Sequence, residues 1–586
     1  MAVIRDLRVV PAPSDHPVRG MTNRDHTVLA CLLAIVGLYV VHLSTVEIQP
    51  WDEGLYAVRG EAIAVHGEWW DQTPHALGGL YSSTAPPMTS WGVALGIKLF
   101  GRTALGVRFF TLLCSALALW MMYLIGKRFL SYQGAILADC LLGSSLHWVI
   151  YARQAMTEVP LMAFVLVALW ALEKGERAKG RNGEMAKGRN GWGMPWHARS
   201  VFIVAFGAAL LTKMAVSFLP VLFVLPMLRR RDLRWTALVM VLGGIVIAAP
   251  WYATMMMRYG DDFWLAMTVP HIMTAVEQNV RAMGPLYYVN QLVVAHPMLV
   301  VAFIYAVVAV VKRDLLPARE QTDVWSVMMW FISGILVLSL AQTKNPHYVV
   351  ILLPAAVFVA VYGLERIMSM APRRLSKLTQ SLIMIAVMFV TIPGLRETLK
   401  HPSLLVADPI ALIIVGIWVV MIIGDLVLPS TIVDAWMIRQ YRPLIYIVAG
   451  LMFLRVIEVV WTGHKDQIMG GREVSVALME RASVVKHFTY LYHQHNTGDA
   501  MNPQLAWYTA GWMNGGDPKY SYTPVHMPER TADLDAVAST AVSGSSWVVY
   551  YHPGIDEATE LEVTAGLAAL YDVAVNNEHY TLFQLR

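Results

Sequence analysis

The chain has 586 residues, of which 56% are hydrophobic and 15% charged, with a formal net charge of +4. Soluble proteins carry roughly a quarter charged residues, so this balance excludes a set of ordinary soluble domains and points to a membrane protein. The small net charge gives no reason to expect a nucleic-acid partner, and Cys31, Cys114 and Cys140, all in apolar stretches, are expected to be buried inert thiols rather than a disulfide framework.

In chain order, residues 1–26 are polar and read as a cytoplasmic N-terminal segment. The apolar run after them is long and has no small-residue cleavage site, so it is expected to stay as a helix rather than be removed as a signal peptide. Membrane spans are expected at 27–45, 105–125, 132–149, 157–173, 200–212, 215–228, 235–250, 288–311, 325–341, 347–364, 378–393, 407–425 and 443–460. That makes about thirteen, several near the roughly 20 residues a hydrocarbon core requires. The fifth and sixth are short enough to be one broken hairpin.

Alternate connections are basic: Lys127-Arg128, then 174–199, 229–234, 312–319, 366–377 and 439–442. Positive loops stay in the cytoplasm, so the other loops and the C-terminus are expected outside. Within the first long basic loop, residues 178–193 nearly repeat AKGRNG and read as a solvated loop, with an anionic-lipid patch as the alternative. The membrane domain, 27–461, therefore carries two long outward loops, 46–104 and 251–287, rich in acids, histidines and aromatics. Beyond residue 461 the sequence turns polar. Residues 462–586 read as an extracytoplasmic α/β domain, with strands at 488–493, 547–552 and 580–585 and a helix at 557–571.

Three stretches carry candidate chemistry. Asp52 and Glu53 directly follow the first span, and adjacent carboxylates at a membrane boundary must face water, be paired, or do work. A helix starting there would put Asp52, Tyr56 and Arg59 on one face; a plain helix cap is the alternative. Arg153 and Glu158 flank the outer junction of two spans, where a snorkelling Arg and a cap at Thr157 form the competing reading. Lys344, His347 and Tyr348 lie in the short turn before the tenth span, suited either to hold an anionic head group or to anchor the interface.

These motifs occur in an order that resembles the GT-C superfamily of lipid-dependent glycosyltransferases, in the branch with the aminoarabinose transferases of lipid A and relatives of protein O-mannosyltransferases. The matching stretches are Asp52-Glu53 with Tyr56-Ala57, Pro86-Pro87 before Trp91, Gly101 with Arg108, and Ala152-Arg153 with Thr157-Glu158 and Pro160-Leu161. Leu211-Thr212-Lys213, Pro250-Trp251-Tyr252 and His347-Tyr348 with Pro354 continue the series. The resemblance implies a polytopic α-helical membrane enzyme of the bacterial inner membrane. Such an enzyme would transfer a sugar from a polyprenyl-phosphate donor to a lipid, glycan or protein acceptor, with inversion.

Asp52 then matches the catalytic base, Glu53 its companion, and Glu158 stands where the family has Asp. Arg153, Lys213, Arg281, Lys344 and Tyr348 become candidates to bind the phosphate. Tyr56, Arg59, Tyr81 and His347 complete the substrate-binding set. His75, His271 and His347, on outward segments with carboxylates, admit a divalent metal ion. One departure is specific: the family's Glu-Lys-Pro-Pro stretch reads Thr84-Ala85-Pro86-Pro87, so its phosphate-contacting Lys is absent. A non-catalytic binding or assembly protein on the same scaffold is the main alternative. A secondary transporter is disfavoured by the lack of internal repeats.

Overall fold

The structure, a computed structural model, describes residues 23–40, 43–44, 46–75, 77, 79–80, 84–180, 194–214, 216–228, 233–276, 284–295, 299, 302, 305, 322–340, 344–370, 469–481, 488–493, 502–509, 522–526, 546–553 and 557–586. The spans expected at 378–393, 407–425 and 443–460 lie outside them.

The described helices up to residue 370 are α1 (Asn23–Val40), α2 (Asp52–His66), α3 (Met88–Phe100), α4 (Ala104–Phe129), α5 (Tyr132–Gly143), α6 (Leu146–Ala152) and α7 (Glu158–Gly180). They continue as α8 (Trp196–Leu210), α9 (Leu219–Leu228), α10 (Arg234–Tyr259), α11 (Asp261–Val276), α12 (Tyr287–Ala295), α13 (Thr322–Leu340) and α14 (Val349–Met370). Among the described residues, Ala104–Phe129, Arg234–Tyr259 and Pro346–Glu365 are each long and apolar enough to cross a membrane. Shorter apolar helices pack beside them.

α10 shows why a bilayer is the natural solvent. Ala237, Met240, Gly244, Ala248, Trp251 and Met255 recur every three or four residues and are buried. Leu242, Val246 and Met257 on other faces are exposed yet equally apolar. A helix that is apolar all round, with one side against protein, presents the other to lipid.

The span expected at 132–149 is instead two helices, α5 and α6, bent by 61°. The break falls at Gly143-Ser144-Ser145, where glycine and serines interrupt the helical ladder. The Ser145 hydroxyl donates to the Leu141 carbonyl at 2.7 Å and the Tyr39 hydroxyl donates to that of Gly143, so the freed carbonyls are not left bare in an apolar surround. The expected fifth and sixth spans are separate helices, α8 and α9. α3 and α4 approach closely through small residues: a Cβ on Gly96 would lie 2.0 Å from the Gly106 carbonyl oxygen. Only glycine allows that backbone contact.

Past residue 469 the chain forms α15 (Gly471–Arg481), β1 (Phe488–Tyr492), α16 (Pro503–Thr509), β2 (Tyr522–His526), β3 (Trp547–Tyr551), α17 (Glu557–Ala568), β4 (Tyr571–Asn576) and β5 (Tyr580–Leu585). The sheet order is β2-β1-β3-β5-β4. β1 runs parallel to both β2 and β3, while β5 is antiparallel to β3 and β4. Central β3 is buried on both faces, and strand alternation explains how. Trp547, Val549 and Tyr551 meet Val474 and Leu478 of α15 and Leu505 of α16, whereas Val548 and Tyr550 meet Val563 and Leu567 of α17. The expected strands and the α17 helix are present. α15, α16, β2 and β4 are additions, and the expected helix to 571 stops at Ala568 because Tyr571 opens β4.

Candidate active site

Asp52 opens α2, and its position is set by its neighbour. The side chains of Glu53 and Arg108 are both buried and form a bidentate pair, with Arg108 Nε donating to Glu53 Oε1 at 2.7 Å and NH2 to Oε2 at 2.9 Å. Arg108 NH1 also donates to the carbonyls of Leu43 and Val46, and NH2 to that of Glu47. The planar fork thus wraps the chain leading into α2. Glu53 accepts further from the backbone N–H of Gln49 at 3.0 Å and of Ala155 at 3.1 Å, which ties the loop to the α6–α7 junction. A buried ion pair is stable only when its remaining donors and acceptors are satisfied, and this one meets that condition.

Asp52 itself is exposed. The N-cap is Trp51, and it makes no side-chain cap bond. Asp52 therefore sits in the first turn, where the helix dipole favours a carboxylate, with its oxygens open to a ligand.

A second cluster gathers at the start of α7. Glu158 is buried and pairs through Oε1 with Lys213, while His347 Nε2 lies 3.8 Å from the same oxygen. Lys213 sits over the Tyr348 ring at 4.5 Å, and Tyr151 meets His347 edge to face. Glu158 Oε2 is buried without a hydrogen-bond partner among the described residues. Lys213, partly exposed, is thus an ammonium held by a deeper carboxylate.

Arg59, on α2, is buried and donates through NH2 to Gln72 Oε1 at 3.2 Å and to the Ala85 carbonyl at 2.6 Å. Its guanidinium lies 5.6 Å from the Tyr56 ring centroid. No carboxylate pairs with Arg59 among the described residues, and burial pulls its pKa down to about 10. Arg153 caps α6 and is buried. Lys344 is turned to the end of α13, donating to the Ser339 carbonyl at 3.0 Å, as cations near helix C-termini do. Tyr81 and Arg281 lie outside the described residues. His75 pairs with Glu68 at 2.5 Å and stacks on His66, while His271 is on α11. No three His, Cys, Asp or Glu residues converge as a metal site among the described residues.

The loop after α2 is fastened to the C-terminal end of α10. Asp71 Oδ2 accepts from Arg258 NH1 and from the Tyr259 hydroxyl, each at 2.8 Å, and Trp251 Nε1 donates to the Trp70 carbonyl at 2.9 Å.

Comparison with known proteins places this arrangement. The family model for dolichyl-phosphate-mannose-protein mannosyltransferases matches residues 84–257. The undecaprenyl phosphate-α-4-amino-4-deoxy-L-arabinose arabinosyl transferase of Pseudomonas paraeruginosa is 27% identical over 414 residues, covering 68% of this chain and 70% of its own length. The Pseudomonas aeruginosa protein of the same name is 26% identical over 358 residues, covering 59% of this chain and 61% of its own. ArnT from Cupriavidus metallidurans, solved with undecaprenyl phosphate bound, superposes with a TM-score of 0.63 at 17% identity, over 96% of this chain and 98% of that one. The chain therefore shares the fold of that protein.

Along this chain the mannosyltransferase match takes in Arg108, Arg153, Glu158 and Lys213 and begins after Asp52 and Glu53. Position 85, which lacks the family's Lys, has its carbonyl bound by the guanidinium of Arg59. The sequence marked Asp52, Glu158, Lys213, His347 and Tyr348, and the last four come together. It quoted Arg108 only as part of a motif. Its role was signalled by a charge in the first turns of the apolar helix 104–129, about five turns from Lys127 and Arg128 at the other end; buried there, it requires a partner. Glu47, Asp71 and Arg258 carried no local signal.

Proposed function

We propose that this chain is a membrane glycosyltransferase of the GT-C superfamily, working on the extracytoplasmic side of the bacterial inner membrane. It takes a sugar from a polyprenyl-phosphate donor, the class named in the arabinosyl transferase relatives, and passes it to a hydroxyl of a lipid, glycan or protein. The observation that carries this reading is Asp52: an exposed carboxylate on a helix whose entry is fixed by a fully satisfied buried pair.

In this mechanism Asp52 takes the proton from the acceptor hydroxyl as its oxygen attacks the anomeric carbon. The carbon–oxygen bond to phosphate breaks, its electrons stay on the phosphate oxygen, and the lipid phosphate leaves from the opposite face. Attack opposite the leaving group inverts the anomeric centre. Lys213 and Arg59 supply positive charge for the departing phosphate. Glu158 keeps Lys213 in place, and Glu53 orients α2 rather than meeting substrate. A resident divalent ion is not used in these steps.

The test is turnover by purified protein in nanodiscs, supplied with undecaprenyl phosphate-α-4-amino-4-deoxy-L-arabinose and an envelope extract as acceptor source. Wild type should release undecaprenyl phosphate. Asp52→Asn, which keeps the shape and removes the base, should lose ~10²–10⁴-fold in rate while still binding undecaprenyl phosphate. Near-normal turnover by folded Asp52→Asn would remove the base assignment. Binding without turnover by wild type would favour a non-catalytic scaffold, the reading that Ala85 in place of Lys suggests.

A further inference from the structure

The segment that leads into Asp52 is held from two sides. The bundle holds it through Arg108. The polar C-terminal unit holds it through contacts that the glycosyl-transfer reading does not use.

Glu47 is central to the second hold. Its Oε1 accepts from the Gly470 N–H at 3.1 Å, and its Oε2 from the Arg472 N–H at 3.0 Å and from Gln504 Nε2 at 3.1 Å. These donors come from the entry to α15 and from α16. Gln504 is itself fixed, since its Oε1 accepts from the Tyr580 hydroxyl of β5 at 2.7 Å. One residue on, the Ile48 N–H donates to the Tyr508 hydroxyl at 3.0 Å. The Glu47 carbonyl meanwhile accepts from Arg108 NH2 at 2.9 Å, the same nitrogen that holds Glu53 Oε2.

α16 also packs directly on α2. Ala506 and Trp507 share an apolar cluster with Ile48, Ala57 and Val58, and Arg102 lies 4.1 Å from the Trp507 ring centroid. The approach is close enough that a Cβ on Gly54, two residues beyond Asp52, would come within 2.6 Å of Pro503 Cβ.

We propose that the C-terminal unit is part of the catalytic apparatus, with Glu47 as a positioning residue: it clamps residues 47–53 so that Asp52 is presented at a fixed place. This rests on Asp52 being the base. Glu47 touches no substrate in the scheme. It acts by joining the sheet of the C-terminal unit to the Arg108–Glu53 pair. A backbone shift of about 1 Å at a reacting group costs roughly a hundredfold in rate, so loss of the clamp should be read in turnover rather than in donor affinity.

Two measurements on full-length protein in nanodiscs test it. In the first, hydrogen exchange of the peptide spanning 46–57 is compared in wild type and Glu47→Ala, with exchange of α14 as the check that the bundle is intact. Faster exchange confined to 46–57 is expected, and unchanged exchange there overturns the clamp whatever the activity. In the second, kcat and KM are measured with undecaprenyl phosphate-α-4-amino-4-deoxy-L-arabinose in wild-type and Asp52→Asn backgrounds.

Glu47→Ala should lower kcat by roughly 10–100-fold with KM little changed. It should add little to the loss in Asp52→Asn, because coupled residues are non-additive. Glu47→Gln, which keeps one acceptor oxygen, should recover part of the rate. Gly54→Ala, whose added methyl would meet both Pro503 of α16 at 2.6 Å and the Gln49 carbonyl oxygen at 2.7 Å, disturbs the same segment without removing the Glu47 carboxylate and should also lower kcat. An unchanged kcat in Glu47→Ala, or an equal loss in both backgrounds, sinks the positioning role and leaves the base assignment standing. Full activity in Asp52→Asn sinks both.

Discussion

Replacing Arg108 with methionine keeps the length of the side chain and removes the charge at the root of the site. Glu53 then loses both charge-assisted bonds, at 2.7 and 2.9 Å, while remaining buried, and the carbonyls of Leu43, Val46 and Glu47 lose their donor. Leaving one charge of a buried pair uncompensated costs about 3–5 kcal/mol. At about 1.4 kcal/mol per tenfold, that is a shift of roughly a hundred- to several-thousand-fold toward the unfolded state. SDS titration in mixed micelles, followed by tryptophan fluorescence, reads this directly. Glu53→Leu alone should lose a similar amount. The double variant buries no charge, so its loss should fall short of the sum by about 1–3 kcal/mol. Stability of Arg108→Met within about 1 kcal/mol of wild type, or strict additivity in the double variant, would refute the view that this pair anchors α2.

In the C-terminal sheet, burial lowers the His552 pKa from 6.5 to about 4; a hydrogen bond with the Glu578 backbone works against this, while the neighbouring His579 and His493 add to it. A histidine whose folded pKa is depressed adds no penalty above pH 6.5 and destabilises progressively as pH falls toward 4, because the unfolded chain takes the proton first. His552→Gln should flatten that part of the pH–stability curve of α/β unfolding, and an unchanged slope between pH 6.5 and 4 would contradict the assignment. For topology, a cysteine placed at the exposed Leu561 should react with a membrane-impermeant thiol reagent in intact spheroplasts, and one in the 174–199 loop only after lysis. The reverse pattern would move Asp52 to the cytoplasmic side.

What the sequence makes legible follows from which signals are local. The apolar run of α10 and the alternation of β3 are written in consecutive residues, so periodicity finds them. The break between α5 and α6 is local as well, in Gly143-Ser144-Ser145, but an apolar window that counts only hydrophobicity reads straight through it. Asp52 and Glu53 show the opposite limit. Side by side at a membrane edge they look alike, yet one is exposed and the other is buried against Arg108, 55 positions away. No spacing rule distinguishes them, because the difference lies in which carboxylate the arginine can reach once α4 has packed.

The same reasoning explains why Glu47 went unseen. Its partners are more than 400 residues downstream, and two of the three are backbone N–H groups, which every residue but proline carries and no motif can record. A carboxylate that binds backbone amides leaves no mark on its partners' side chains. Residues of this kind are recovered only from the fold, and here the fold joins the last hundred or so residues to the few that precede the proposed base. The apolar bundle can bury lipid-facing helices without that unit. What the unit adds is a second set of hydrogen bonds on the one stretch of chain whose position the chemistry depends on.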